Sequence, residues 1–406
     1  MPIYWIWFAE LADISVLQKH CLLEHFRDPE EIYHATTEAL RALHLPDKQL
    51  QSLQQKDLTP AQQIVNTCRR KGIGILALQD TAYPSRLKNT PDAPIVLYYN
   101  GILPDWEERP FVGIVGTRKA SGYGLQVAHQ MGSQIAAGGG MIVSGGAFGA
   151  DTAAMQGALD SDKPCVGVLG CGVDIVYPTS NRRLFTRVVE DGCLLSEYPP
   201  GTSPKPWHFP QRNRIISGLS DGVLVAEAPE KSGALITARL ALEQGRDVFT
   251  VPGNINTVSC AGSNLLLQEG ALAVFSGWDV LKEYQQRYPE TVKIPARTSV
   301  LPEGNPLMNV AQTATIPEKI QNDPEKPQKK PIDNQRISTY SVLNNEQPAF
   351  SDEEQAVLAL LTRHPQEPAD IIARTDLPSG QVLSLLTMLA VKGMVLKHPG
   401  GRVSLK

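Results

Sequence analysis

Cysteine is scarce and scattered: Cys21, Cys68, Cys165, Cys171, Cys193 and Cys260 are all there are, and no two form a CxxC pair. That spacing argues against a zinc site and a disulfide framework, and it predicts small buried apolar side chains in a reducing compartment. Long hydrophobic runs are missing as well, and no stretch approaches the ~18 uninterrupted apolar residues of a membrane span. The apolar start MPIYWIWFAELADIS lacks a basic lead and soon meets Glu10 and Asp13, so it reads as an aromatic first helix rather than a targeting peptide. The cytoplasm is the expected compartment. Nor does one sign of charge dominate: 38 Lys and Arg face 42 Asp and Glu. Any anion site must therefore be a local patch. GxSxG and HExxH are absent, and the eight histidines do not cluster. No catalytic residue, metal or cofactor is expected, which leaves a binding protein as the reading.

One local absence is more telling. There is no Asp or Glu between Glu108 and Asp151, and none from Tyr198 to Ser220. The first gap contains Arg118 and Lys119; the second contains HFPQRNRIISG, with Arg212 and Arg214 around Asn213.

Composition divides the chain into four parts. Residues 1–67 read as a small helical module of short helices broken at Pro46 and Pro60. From 68 to 285, the runs FVGIVG, MIVSGG, PCVGVLGCG, CLLSEYP, DGVLVAEA and DVFTVPG alternate with amphipathic stretches such as GYGLQVAHQMGSQIAAG and ALITARLALEQG. Continuously apolar strands separated by single helices predict an α/β fold, a doubly wound, mostly parallel sheet covered on both faces. Residues 286–350 are rich in Pro, Gln, Asn, Lys and Glu and read as a flexible linker. Residues 351–406 predict a winged-helix-like module whose two-stranded wing turns at Gly400-Gly401. With six basic and six acidic residues, that module is a poor candidate for duplex binding.

A doubly wound sheet binds ligands outside the carboxyl ends of its strands. There the chain places Gly116-Thr117-Arg118, Ser144-Gly145-Gly146, Gly170-Cys171-Gly172, Ser196-Glu197 and Lys231-Ser232-Gly233. Small residues let backbone N–H groups approach an anion, and a helix N-terminus behind them favours negative charge. Arg182, Arg183, Arg212 and Arg214 add cations on nearby helices. The alternative is that these arginines pair with Glu197, Asp174 or Glu227 and pin helices to the sheet, with Asn213 bonding loop carbonyls. Glu197 and Glu227 are expected to hold the arginines Arg212 and Arg214, without a fixed pairing, rather than act as an acid–base pair. Trp207, His208 and Phe209 are candidate stacking platforms.

The strings VGTRKASGYG, SGGAFGAD, YPTSNRRL, LLSEYPPG, FPQRNRIISGLSDGVLVAEA, KSGALITARLALEQGRDVFTVPGN and GSNLLLQEGA follow in order between about Ala82 and Leu281. Together they resemble the DNA-processing protein A (DprA, Smf) family of bacteria. The resemblance implies a Rossmann-like domain, an N-terminal sterile-alpha-motif-like or helix-hairpin-helix module and a C-terminal winged helix. It also implies a homodimer that binds single-stranded DNA during natural transformation and recombination, protects the incoming strand and helps load RecA recombinase. On that resemblance Gly116, Thr117, Arg118, Arg182, Arg183, Lys205, Phe209, Arg212, Asn213, Arg214 and Lys231 line a phosphate-gripping groove. Ser144, Gly145, Ser232 and Gly233 supply donors, and the region near Leu265 to Ala273 is the guess for the dimer surface. The family's usual SGLAxGID followed by AAH is altered here: Met155 fills the histidine position. The rival reading is a nucleotide hydrolase of the lysine-decarboxylase-like type, but its PGGxGTxxE signature is replaced by APEKSGALITARLALE.

Overall fold

In the computed structural model, residues 2–294 are described throughout, together with segments of 352–405. Residues up to 294 belong to one compact unit and those from 352 to a second.

Six helices occupy residues 2–71: α1 (Pro2–Glu10), α2 (Val16–His25), α3 (Pro29–His34), α4 (Thr37–Arg41), α5 (Asp47–Gln54) and α6 (Thr59–Lys71). Their starts are coded locally. Ser15 and Gln18 form a reciprocal capping box, Asp28 caps α3 ahead of Pro29, and Thr36 caps α4. Gly72, at φ +65°, ends α6 behind three basic residues. The helix α6 runs across the boundary expected at 67. The apolar side chains of this region also share a core with the sheet. Trp5, Ile6, Trp7 and Phe8 are buried in the same cluster as Val115, Val143, Val168 and Leu195.

The sheet has nine strands: β1 (Gly74–Ala77), β2 (Val96–Gly101), β3 (Phe111–Val115), β4 (Met141–Ser144), β5 (Cys165–Val168), β6 (Cys193–Ser196), β7 (Gly222–Val225), β8 (Asp247–Thr250) and β9 (Leu272–Ala273). Their order is β1-β2-β6-β5-β4-β3-β7-β8-β9; only the β1–β2 and β2–β6 pairings are antiparallel. The remaining helices of this unit are α7 (Ser85–Lys88), α8 (Gly122–Ala137), α9 (Ala150–Asp160), α10 (Arg182–Asp191), α11 (His208–Leu219), α12 (Gly233–Glu243), α13 (Ala261–Gln268) and α14 (Gly277–Tyr284).

Both faces of the sheet are buried, which is why its strands read as solid apolar runs. Alternate residues serve alternate cores. Phe111, Val115, Val143, Val166, Val223 and Val225 pack with α11, α12 and the N-terminal helices. Val112, Ile114, Ile142, Cys165 and Leu224 pack with α8, α9, α10 and α14. The chain winds outward from β3 through β6 on one face, then returns to β7 on the other side of β3. The gap between the carboxyl ends of β3 and β7 is thus the topological switch point.

A buried carboxylate ties distant segments together. Asp221, at the foot of β7, accepts the Phe111 amide at 2.9 Å and the Tyr288 hydroxyl at 3.2 Å. It also pairs with Arg86 at 3.1 Å and Arg287 at 2.9 Å.

In the second unit, α15 (Asp352–Leu360) and α16 (Pro368–Ile372) share a core with an antiparallel pair, β10 (Val395–Lys397) and β11 (Val403–Leu405). The linker expected from 286 does not begin there: residues 286–294 belong to the first unit, with Tyr288 and Val292 buried in its core, because their apolar side chains close over α8 and α14. The rest of the expected linker, from 295, and the expected wing turn at Gly400-Gly401 lie outside the described residues. Among the described residues no helix is long and apolar enough to cross a membrane.

Candidate functional site

A groove of about 340 Å³ opens at the switch point. One wall is Gly116, Thr117 and Arg118 after β3; the other is Lys231, Ser232 and Gly233 at the start of α12. The first turn of α11 closes the third side with Phe209, Arg212 and Asn213, and Asp151 lies at the bottom. Nine of the fifteen expected site residues therefore meet in one groove. Helix α11 begins at His208, earlier than the apolar IISGL suggests, because Pro210 falls in the first turn, where its missing N–H costs nothing.

The floor of this groove is engaged internally. The buried Arg212 guanidinium donates to the carbonyls of Gly145, at 2.6 Å, and Val168. Gly145 is glycine for a steric reason: a Cβ there would lie 2.5 Å from Arg212 Nη1. Burial pulls Arg212 down to about 10, with the Asp151 charge opposing the fall, and it remains cationic at neutral pH. Burial likewise pushes the Asp151 carboxyl up from its ordinary range, while Arg212 and the amides of Ala147 and Gly116 pull it down. The Thr117 amide donates to the Glu227 carbonyl at 2.8 Å, so neither it nor the Gly116 amide faces the groove as a free donor.

Of the six expected residues outside the groove lining, three are held by internal contacts. Arg214 pairs with Glu197 at 2.6 Å and Asp92 at 3.2 Å and is buried beneath α11. The Ser144 hydroxyl is wholly buried and donates to the Ile114 carbonyl at 2.6 Å. Gly145 is covered by Arg212. Ser232 lines the groove, but its hydroxyl caps α12 by accepting the Ala234 amide at 3.3 Å. Glu227 does not hold Arg212. It is buried and accepts hydrogen bonds from the Ser121 amide and hydroxyl, both at 2.8 Å, and from the Ser259 hydroxyl at 2.5 Å. A hydrolase reading would need this carboxylate open to the groove.

What remains exposed is cationic and aromatic. Arg118, Lys205, Lys231, Arg182 and Arg183 are exposed and make no ion pair with a carboxylate among the described residues, although the Arg118 charge also acts on the buried Asp151 carboxyl. Arg118 lies 5.0 Å from the centre of the Phe209 ring, whose neighbour is Tyr177 at 5.5 Å. Lys205 lies 5.5 Å from the ring of Trp207, which is 60% exposed. His208, by contrast, is buried and stacked on Tyr198 at 3.9 Å, so it offers no platform. Arg182 and Arg183 begin α10, outside the groove proper. Sequence reasoning passed over Phe148, whose exposed ring borders Arg118; a lone aromatic between glycine-rich turns was the available signal. Among the described residues no group of three or more His, Cys, Asp or Glu side chains is arranged to hold a metal ion.

Comparison with known proteins adds two family matches and close relatives. Residues 74–285 match the model of the DNA recombination-mediator protein A family, and residues 344–401 match the DprA winged helix domain. A Synechocystis protein named Smf is 32% identical over 98% of this chain and 97% of its own length. The DNA processing protein DprA of Bacillus subtilis is 42% identical over 54% of this chain and 74% of its own. The X-ray structure of DNA processing protein A from Streptococcus pneumoniae covers 70% of this chain and 98% of that one, at 35% identity and a TM-score of 0.61.

Proposed function

Since the chain belongs to the DNA-processing protein A (DprA/Smf) family, we propose that its groove holds the backbone of single-stranded DNA. The observation that carries this reading is the surface left over once internal bonds are counted: exposed cations set directly against aromatic rings, Lys205 against the exposed Trp207 and Arg118 against the half-buried Phe209. Arg118, Lys231, Lys205 and the N-terminus of α12 at Gly233 grip phosphates. Phe209 and Trp207 take unstacked bases, Asn213 lines the same wall, and Arg182 and Arg183 extend the track. Gly116, Thr117, Ser144, Gly145, Arg212, Arg214 and Ser232 form the frame that shapes it. Aromatic planes beside cations favour a single strand, because duplex bases already stack on one another; each stacked base contributes ~1–3 kcal/mol. The same reading makes the protein a non-catalytic binder that acts in the cytoplasm in transformation and recombination, protects the strand and passes it to RecA recombinase. It also makes the protein a homodimer; support comes from Leu265, Leu272 and Phe275, all exposed near the edge strand β9.

The test is fluorescence anisotropy of a labelled single-stranded oligonucleotide with the wild type and with Arg118→Ala/Arg183→Ala, across a salt series and against duplex competitor. Salt-sensitive binding that prefers single strands and collapses in the double variant supports the proposal. A well-folded wild type that binds no strand sinks it.

A further inference from the structure

Two features stand outside the groove. Arg182 and Arg183 are free cations beyond its rim, and Phe148 and Leu125 are apolar side chains 60% and 41% exposed. A second cavity, of about 480 Å³, lies between them. Its walls come from Arg118 and Ala120, from Leu125 and His129 on α8, from Phe148 and Gly149, from Thr152, Ala153 and Gln156 on α9, and from Ser180 and Asn181. Arg118 lines this cavity and the groove alike, and the residues that follow Ser180 and Asn181 are Arg182 and Arg183. The cavity therefore runs from the groove to the turn that precedes these arginines.

The walls are fixed in place. Gly149 adopts φ +86°, and a Cβ there would sit 2.5 Å from the Thr117 carbonyl oxygen, so the Phe148 turn rests directly on the Arg118 turn. Asn181 donates to the Gly146 carbonyl at 3.0 Å and to Thr152 Oγ1 at 2.7 Å, tying the third wall to the same turn. Gln156 donates its amide to Asp160 at 2.6 Å, which leaves its carbonyl oxygen without a partner among the described residues. An apolar interior with an amide edge, lined at one end by Arg118 and at the other by the turn that leads into Arg182 and Arg183, suits a flat heterocycle attached to a polyanion.

We propose that this cavity receives a nucleobase of the strand held in the groove, so that the backbone crosses Arg118 and continues to Arg182 and Arg183. This rests on the single-stranded DNA reading above. It makes Phe148 a base-contacting residue with no part in gripping phosphate.

The experiment compares a labelled oligothymidylate with an abasic backbone of the same length, each titrated with full-length wild type, Phe148→Ala and Phe148→Trp. Phe148→Ala is expected to weaken oligothymidylate binding about fivefold or more, the scale of one stacked base. Its affinity for the abasic strand stays at the wild-type value, and Phe148→Trp retains the affinity for both. Equal losses on both strands, or no loss on either, overturn the proposal. Absence of wild-type binding to oligothymidylate overturns the single-stranded DNA reading itself and is seen without any variant.

Discussion

The guanidinium of Arg118 lies over the ring of Phe209, 5.0 Å from its centre, although one comes from the loop after β3 and the other from the first turn of α11. The contact orients a charge that makes no ion pair among the described residues, and it presents cation and aromatic plane as one surface. A strand on this surface meets a phosphate contact and a stacking contact together.

Replacing Arg118 with Ala should therefore weaken single-stranded DNA about equally for all sequences. It should also reduce the slope of log affinity against log salt by about 0.7–1, the effect of one phosphate contact. Anisotropy titrations at several salt concentrations measure both. A loss of base preference at unchanged salt slope would contradict a phosphate role.

Arg214 should behave in the opposite way. It is buried against Glu197 and Asp92, so Arg214→Ala strands two carboxylates and should cost about 3–5 kcal/mol of stability. Urea denaturation reads this loss. The folded fraction should keep the wild-type salt slope for DNA.

Gly145→Ala is a steric probe of the groove floor. Its new methyl would meet the Arg212 guanidinium at 2.5 Å, and the fold has little room to yield. Destabilisation of about 1–3 kcal/mol is expected, together with weaker DNA binding as the α11 wall shifts. Thermal melting and anisotropy on the same sample test the pair of effects.

Lys19 links pH to stability. Its buried amine donates to the Ala9 carbonyl at 2.5 Å, and burial lowers it to about 8, against about 10.4 in an unfolded chain. Between those values the unfolded chain holds a proton that the folded chain lacks, so stability rises with pH over that window; below about 8 the gain is absent. Lys19→Met should remove a rise on the order of 1–3 kcal/mol. Denaturation midpoints of wild type and variant from pH 7 to about 10 give the difference, in which the tyrosines and Lys56 cancel. Parallel pH profiles would refute the assignment.

The strands were legible because both faces of the sheet are buried, and burial on both faces leaves an unbroken apolar run in the sequence. The groove was legible in outline because small residues gather at strand ends. The division of labour between Arg212 and Arg214 was not read correctly. Two residues apart on a helix, they differ by about 200° in direction and cannot both face one groove. Both read as helical from the sequence, so the geometry of the helix alone separates them. The partner of Arg214 at Asp92 was beyond reach, since no local pattern links positions so far apart. The shared core of the N-terminal helices was equally hidden: apolar residues announce burial, not which surface buries them.

Asp221 gathers Arg86, Phe111, Arg287 and Tyr288 around one carboxylate. During synthesis the first of these leaves the ribosome some two hundred residues before the last. Until Tyr288 emerges, Asp221 and Arg86 lack part of their final set of partners, and the growing chain cannot complete this lock. A chain halted upstream of that codon thus holds an incomplete set of partners around a buried carboxylate, however fully its sheet has formed.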